Sequence, residues 1–210
     1  MEIGFTNNLE SLMNISRRMI AFGALGIALT SLSGCGYNTI PTKEEAAKAA
    51  WAEVQNQYQR RADLVPNLVN TVQGAAKQEK DVLTAVVEAR AKATAPQFDA
   101  STITDEAKFK EFQAAQDNLS GVLGRLMMIT ENYPQLKSLD SFNTLQGQLE
   151  GTENRISIAR RDYNKAVQDY NTELKTFPSI IWAKTIQSGS KPMQLFTASA
   201  GAEKAPEVKF

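Results

Sequence analysis

Residues 142–177 read FNTLQGQLEGTENRISIARRDYNKAVQDYNTELKTF, and their periodicity decides the fold class. Phe142, Leu145, Leu149, Thr152, Ile156, Ala159, Tyr163, Ala166, Tyr170, Leu174 and Phe177 recur in an almost strict alternation of three- and four-residue steps over about five heptads. A 3.5-residue repeat laid on a helix of about 3.6 residues per turn keeps its seam on one partner only by supercoiling, so this segment belongs in a helical bundle. At about 1.5 Å per residue, a helix of about 38 residues here runs for roughly 57 Å, and Pro178 closes it.

Three weaker helical segments precede it. Thr42-Lys43-Glu44-Glu45 has the form of a capping box, followed by apolar or small residues at Ala47, Trp51, Val54, Tyr58, Val65, Leu68 and Val72. Pro66 lies inside this pattern, lacks a donor and crowds the preceding turn, which predicts a kink between Asp63 and Asn67. A second helix is expected from Asp81 to about Ala95, with Val82, Leu83, Val86, Ala89 and Ala93 inward. A third opens near Thr104-Asp105-Glu106, carries Phe109, Phe112, Leu119, Leu123, Leu126 and Tyr133, is interrupted at Gln116 and Thr130, and ends at Pro134. No strand-length stretch alternates with period two. The expected fold is therefore all-α, an elongated antiparallel bundle of about four long helices, the first kinked near Pro66.

Upstream of the bundle, residues 16–35 read SRRMIAFGALGIALTSLSGC, a basic pair, an apolar run from Met19 to Leu29 and then small residues, as in a secretory signal peptide. The run is short for a hydrocarbon core of about 30 Å; its other readings are a buried N-terminal helix or an uncleaved anchor. Leu32-Ser33-Gly34-Cys35 resembles the bacterial lipobox, and Cys35 is the only cysteine of the chain. Cleavage before Cys35 and acylation on it are therefore expected, more than one acyl chain being needed for stable anchoring. Met1 to Leu12 does not suit a signal peptide, and Met13 is the better start. Ser16-Arg17-Arg18 faintly resembles a twin-arginine signal, but general secretion is the preferred route. Gly36 in place of Asp favours the outer over the inner membrane in a Gram-negative host, on the exported, periplasmic face. The organisation expected is a signal peptide over 1–34, a lipidated tether over 35–41, a bundle over 42–187, and an extended polar tail over 188–210.

Composition narrows the chemistry. Lys plus Arg and Asp plus Glu are both 23, so the net charge is zero, and the phosphate-neutralising excess of a nucleic-acid binder is missing. There is no His, which removes the usual general base and the commonest metal ligand. A lone Cys excludes an intramolecular disulfide. Asp63, Glu150 and Glu153 invite comparison with carboxylate di-iron bundles, but those rely on Glu-x-x-His repeats. Neither a metal nor a cofactor is expected, and no residue set has a catalytic pattern. Trp51, Phe142, Tyr163 and Tyr170 read as core; Asn143, Gln146 and Gln148 read as surface.

The densest polar stretch combines Arg60, Arg61, Asp63 and Asn67 with Glu150, Glu153, Asn154, Arg155, Arg160, Arg161 and Asp162. Arginine forks bind carboxylates and phosphates bidentately, so this is the candidate interaction cluster. The competing reading is a solvated helix face with weak i, i+4 pairs. A network around Pro66 that holds freed backbone groups lies between the two.

The stretches YQRRADLVPNLVNTVQG (58–74), EKDVLTAVVEARAKA (79–93), ENYPQLKSLDSF (131–142), LEGTENRISIARRDYNKAVQDYN (149–171), FPS (177–179) and the ending MQLFTASAGAEKAPEVKF resemble the LemA family of membrane-associated bacterial proteins. The resemblance covers nearly all of Trp51 to Phe210. It implies a long helical bundle anchored at its N-terminus. Many members look anchored by a spanning helix just before a Tyr-Asn pair; here Tyr37-Asn38 follows a lipobox. The function expected is non-enzymatic, a scaffold or interaction role with an envelope protein as partner. The alternative is a lipid or small-amphiphile binder using an Arg-lined groove.

Overall fold

The computed structural model describes residues 37–76, 78–95 and 98–197. The expected signal peptide, Cys35 and the chain after Thr197 lie outside them. Six helices follow in order: α1 (Thr39–Ala75), α2 (Lys80–Ala93), α3 (Glu106–Thr130), the single turn α4 (Pro134–Lys137), α5 (Asp140–Glu173) and α6 (Ser179–Lys184), with a 3₁₀ segment over Ala100–Thr104 before α3. Among the described residues no strand occurs. The chain divides into two compact units, one of residues 43–172 with 191–197, the other of residues 37–42 with 173–190.

In the larger unit, side-chain contacts fix the helix directions. Trp51, Tyr58 and Arg61 ascend α1 and meet Phe109 and Phe112, then Phe112, then Gln116 and Ser120, which ascend α3. The same Trp51 and Arg61 meet Tyr163 and Glu153 in descending order on α5. Glu79, just before α2, accepts from Tyr133, just past the end of α3, and Ala93, the last residue of α2, accepts from Gln116 in the middle of α3, so these two helices run in opposite directions. The four long helices thus run up, down, up and down, as short connections favour.

Three layers fill the interior. Aromatic rings of Trp51, Tyr58, Phe109, Phe112, Tyr163 and Phe196 form the first, with Trp51 at 5.0–6.1 Å from four of the other rings. Such tilted and edge-on pairs are worth about 0.5–1.5 kcal/mol each beyond area burial. Aliphatic side chains form the last layer, with Val65, Leu68, Val72, Leu83, Val86, Leu119, Leu123, Leu126, Leu136 and Leu149 all buried. Between them lies a polar layer centred on Arg61.

Local expectations are met at Pro66 and at the start of the third helix, and corrected at the start of the first helix and along the seam of α5. The first helix opens at Thr39 rather than at a cap on Thr42, whose hydroxyl instead donates to the Asn38 carbonyl at 2.7 Å. Helix α1 continues through Pro66. Pro66 has no N–H for the Ala62 carbonyl four residues back, and Arg90 Nε of α2 takes that place at 2.8 Å. The third helix starts at Glu106, where the Asp105 carboxylate accepts from the N–H groups of Ala107 and Lys108. In the second half of α5 the buried side chains are Ala159, Tyr163, Val167 and Tyr170, so the seam takes two four-residue steps where Ala166 is expected. Phe177, expected to close that seam, lies beyond α5 and is 72% exposed.

The extended stretch 191–197 docks through Met193 and Phe196, both buried. Asn171 accepts from the Met193 N–H at 2.9 Å and donates to its carbonyl at 2.8 Å. Asn164, one heptad earlier, does the same for Phe196 at 2.9 and 3.0 Å. Tyr163 and Tyr170 donate to the carbonyls of Gln194 and Lys191.

Candidate functional site

Arg61 occupies a core position. It falls between Tyr58 and Val65 on the inward stripe of α1, and its side chain is 1% exposed. A buried guanidinium needs its charge paired and its donors met; here both terminal nitrogens are satisfied, while the buried Nε has no hydrogen-bond partner. Nη1 donates to Glu153 of α5 at 2.8 Å and to Ser120 Oγ, and Nη2 donates to the Gln116 side chain at 2.6 Å and main chain at 3.1 Å. The Gln116 amide in turn donates to the Ala93 carbonyl, one of the acceptors left open at the C-terminus of α2. One side chain thereby connects all four long helices. The Tyr58 ring lies under the guanidinium at 5.0 Å. Burial pushes the Tyr58 and Tyr163 hydroxyls above the ordinary tyrosine range, which keeps both protonated.

Beside this node, α3 and α5 enclose an open groove of about 560 Å³. Leu123, Met127 and Leu149 give it apolar walls, Gly124 leaves it wide, and Ser120, Glu150, Glu153 and Asn154 set its polar margin. The Glu153 side chain is 44% exposed, so its carboxylate meets Arg61 on one side and the groove on the other. Glu150 accepts from Gln146 at 3.0 Å on the same margin.

The remaining candidate residues separate into different settings. Arg60 and Arg155 line a hollow of about 320 Å³ with Gly147 and Gly151. Arg160 stacks over Phe196 at 4.5 Å, lies 3.8 Å from Asp117 and reaches the Thr197 carbonyl, so it belongs to the docking of residues 191–197. Arg161 is exposed and touches Asp162 at 3.4 Å. Asp63 and Asn67 are exposed, Asp63 accepting from Gln59. The structure thus brings Arg61 to Glu153, with Glu150 and Asn154 lining the same groove.

Gln116, Ser120, Arg90, Asn164 and Asn171 are the structural residues not singled out from sequence. Gln116 had left a signal: it interrupts the apolar series of the third helix, as Arg61 does that of the first. Two polar side chains at seam positions of different helices need partners, and each supplies the other.

The fold and this site define an all-helical, up-and-down bundle with a polar tie through its interior. The chain belongs to the LemA family, whose sequence pattern it matches over residues 50–210. Among curated relatives it is 28% identical over 158 residues to magnetosome protein MamQ 2 of Paramagnetospirillum magneticum, covering 68% of this chain and 58% of the relative. Magnetosome protein MamQ of Magnetospirillum gryphiswaldense is 26% identical with the same coverage. The chain therefore spans 58% of the length of the relatives it matches. Among the described residues no helix is long and apolar enough to cross a membrane.

Proposed function

We propose that this chain is a membrane-anchored cell-envelope lipoprotein, acylated on Cys35, with a non-enzymatic interaction or scaffold role. The observation that carries the reading is Leu32-Ser33-Gly34-Cys35, which holds the only cysteine and stands four residues before the bundle opens at Thr39. LemA membership and relatives named as magnetosome proteins agree with a role at a membrane. The absence of His from the sequence and the use of Arg61 within the interior weigh against acid–base chemistry. Periplasmic exposure, with the outer membrane preferred, follows from the export signal and Gly36.

Within this reading the groove between α3 and α5 receives the partner. Its apolar walls and acidic margin suit a protein segment that carries apolar side chains and a basic residue. An anionic lipid headgroup suits it less. Two experiments test the reading. Cys35→Ala abolishes acyl labelling and leaves uncleaved precursor; retained labelling contradicts the lipoprotein assignment. A photo-crosslinking residue placed at Asn154, on the groove margin, captures one dominant envelope protein, and the product is lost with Glu150→Lys. Cross-linking to lipid alone favours the amphiphile-binding alternative.

A further inference from the structure

The smaller unit, residues 37–42 and 173–190, has a surface that folding does not account for. Of nine exposed large apolar side chains in the described residues, four belong to it: Tyr37 (46%), Phe177 (72%), Ile181 (50%) and Ile186 (62%). Those of the larger unit are spread over three helices and the segments around them. Here Tyr37 meets the Trp182 ring edge-on at 5.8 Å, and its carbonyl accepts from Gln187 at 2.9 Å. Both contacts tie the start of the described chain to α6 and the turn after it. Lys175 and Lys184 are exposed in the same unit, and Glu173, its only acidic residue in sequence, accepts from Ser179. Aromatic rings, branched aliphatics and lysines without exposed acids make up the composition of a membrane-interface surface.

Covalent geometry supplies the occupant. Tyr37 is two residues from Cys35, so the chain can separate them by at most about 7 Å. The headgroup layer on each face of a bilayer is itself roughly 5–8 Å deep. Acyl chains on Cys35 sunk in the hydrocarbon therefore hold Tyr37 at headgroup depth. We infer that Tyr37, Phe177, Ile181, Trp182 and Ile186 form a membrane-seating surface that rests on the lipid interface beside the anchor. This inference rests on the acylation of Cys35 proposed above. The anchor supplies attachment; the seat adds a second, non-covalent hold of the smaller unit on the lipid interface.

Trp182 is a built-in probe, and Trp51, 3% exposed inside the aromatic layer, is shielded from contact quenchers. The purified lipidated protein is incorporated into phosphatidylethanolamine–phosphatidylglycerol vesicles with and without chain-brominated phosphatidylcholine, and tryptophan emission is compared with that of Trp182→Phe. The expected result is loss of a large part of the native emission in brominated vesicles and no such loss in Trp182→Phe. Ile181→Asp with Ile186→Asp, both on exposed positions, removes most of the quenching while the protein still floats with the vesicles. Unquenched native emission in protein that floats overturns the seating surface and leaves the anchor standing. Protein that does not float overturns the anchor reading, and this inference with it.

Discussion

Helix α5 presents two contrasting stretches within the larger unit. From Tyr163 to Asn171 it is covered by residues 191–197 of its own chain, with Asn164 and Asn171 each reading both the N–H and the C=O of a docked residue. From Gln146 to Asn154 the polar groups are as dense, but they line an open groove against α3. The covered stretch shows how this bundle binds a peptide: amides one heptad apart face the same way, and the backbone polar groups they meet need no water. The open stretch has apolar walls and acceptors with no segment of the described chain across them. The open stretch is the interaction surface proposed above, and the buried Arg61 tie joins its two walls through Ser120 and Glu153.

Four changes separate the two stretches, in order of falling effect. Arg61→Ala removes the direct tie of α1 to α3 and α5 and strands Gln116 and Ser120; we expect a loss of about 3 kcal/mol in denaturant unfolding, moderated because Glu153 remains partly solvated. A loss below about 1 kcal/mol shows that the groove walls do not depend on Arg61. Asn164→Ala with Asn171→Ala cuts four hydrogen bonds to residues 191–197, costs about 2–3 kcal/mol and opens that segment to proteolysis. Gly124→Ala is expected to stabilise by about 0.5–1 kcal/mol, since a Cβ there meets nothing within 4 Å, and to weaken partner cross-linking by narrowing the groove. Arg161→Ala, on an exposed pair, should shift stability by less than about 0.5 kcal/mol.

Burial of Tyr58 and Tyr163 adds a sign-definite pH effect. Their folded-state values are raised above 10.0, so their contribution is complete below 10.0 and is lost as pH climbs from there. Thermal unfolding measured across that alkaline window should show the decline, and its absence counts against the aromatic layer as described.

The four long helices were legible because apolar side chains repeat at helical spacing and Pro or Asp mark their ends. The family resemblance was legible in long specific blocks such as GTENRISIARRDYN. Which arginines act was not. Arg60 and Arg61 are adjacent in sequence and alike in chemistry, yet a rotation of about 100° around the helix puts one in solvent and the other in the core. The gap in the first seam between Tyr58 and Val65 falls on Arg61, and its match to the break at Gln116 becomes visible only when the helices are paired. The compensation at Pro66 was anticipated as an Arg-based network, but its donor, Arg90, comes from the next helix, beyond the reach of local spacing. The seam shift from Ala166 to Val167 moves the paired four-residue steps toward the N-terminus, to Ala159-Tyr163-Val167, and buries the larger Val in place of Ala.

The most direct test of the account is mass spectrometry of the N-terminal peptide of the protein extracted from membranes. It should begin at Cys35 and carry a diacylglyceryl thioether; an unmodified Cys35 within a chain that still contains residues upstream of it would contradict the account.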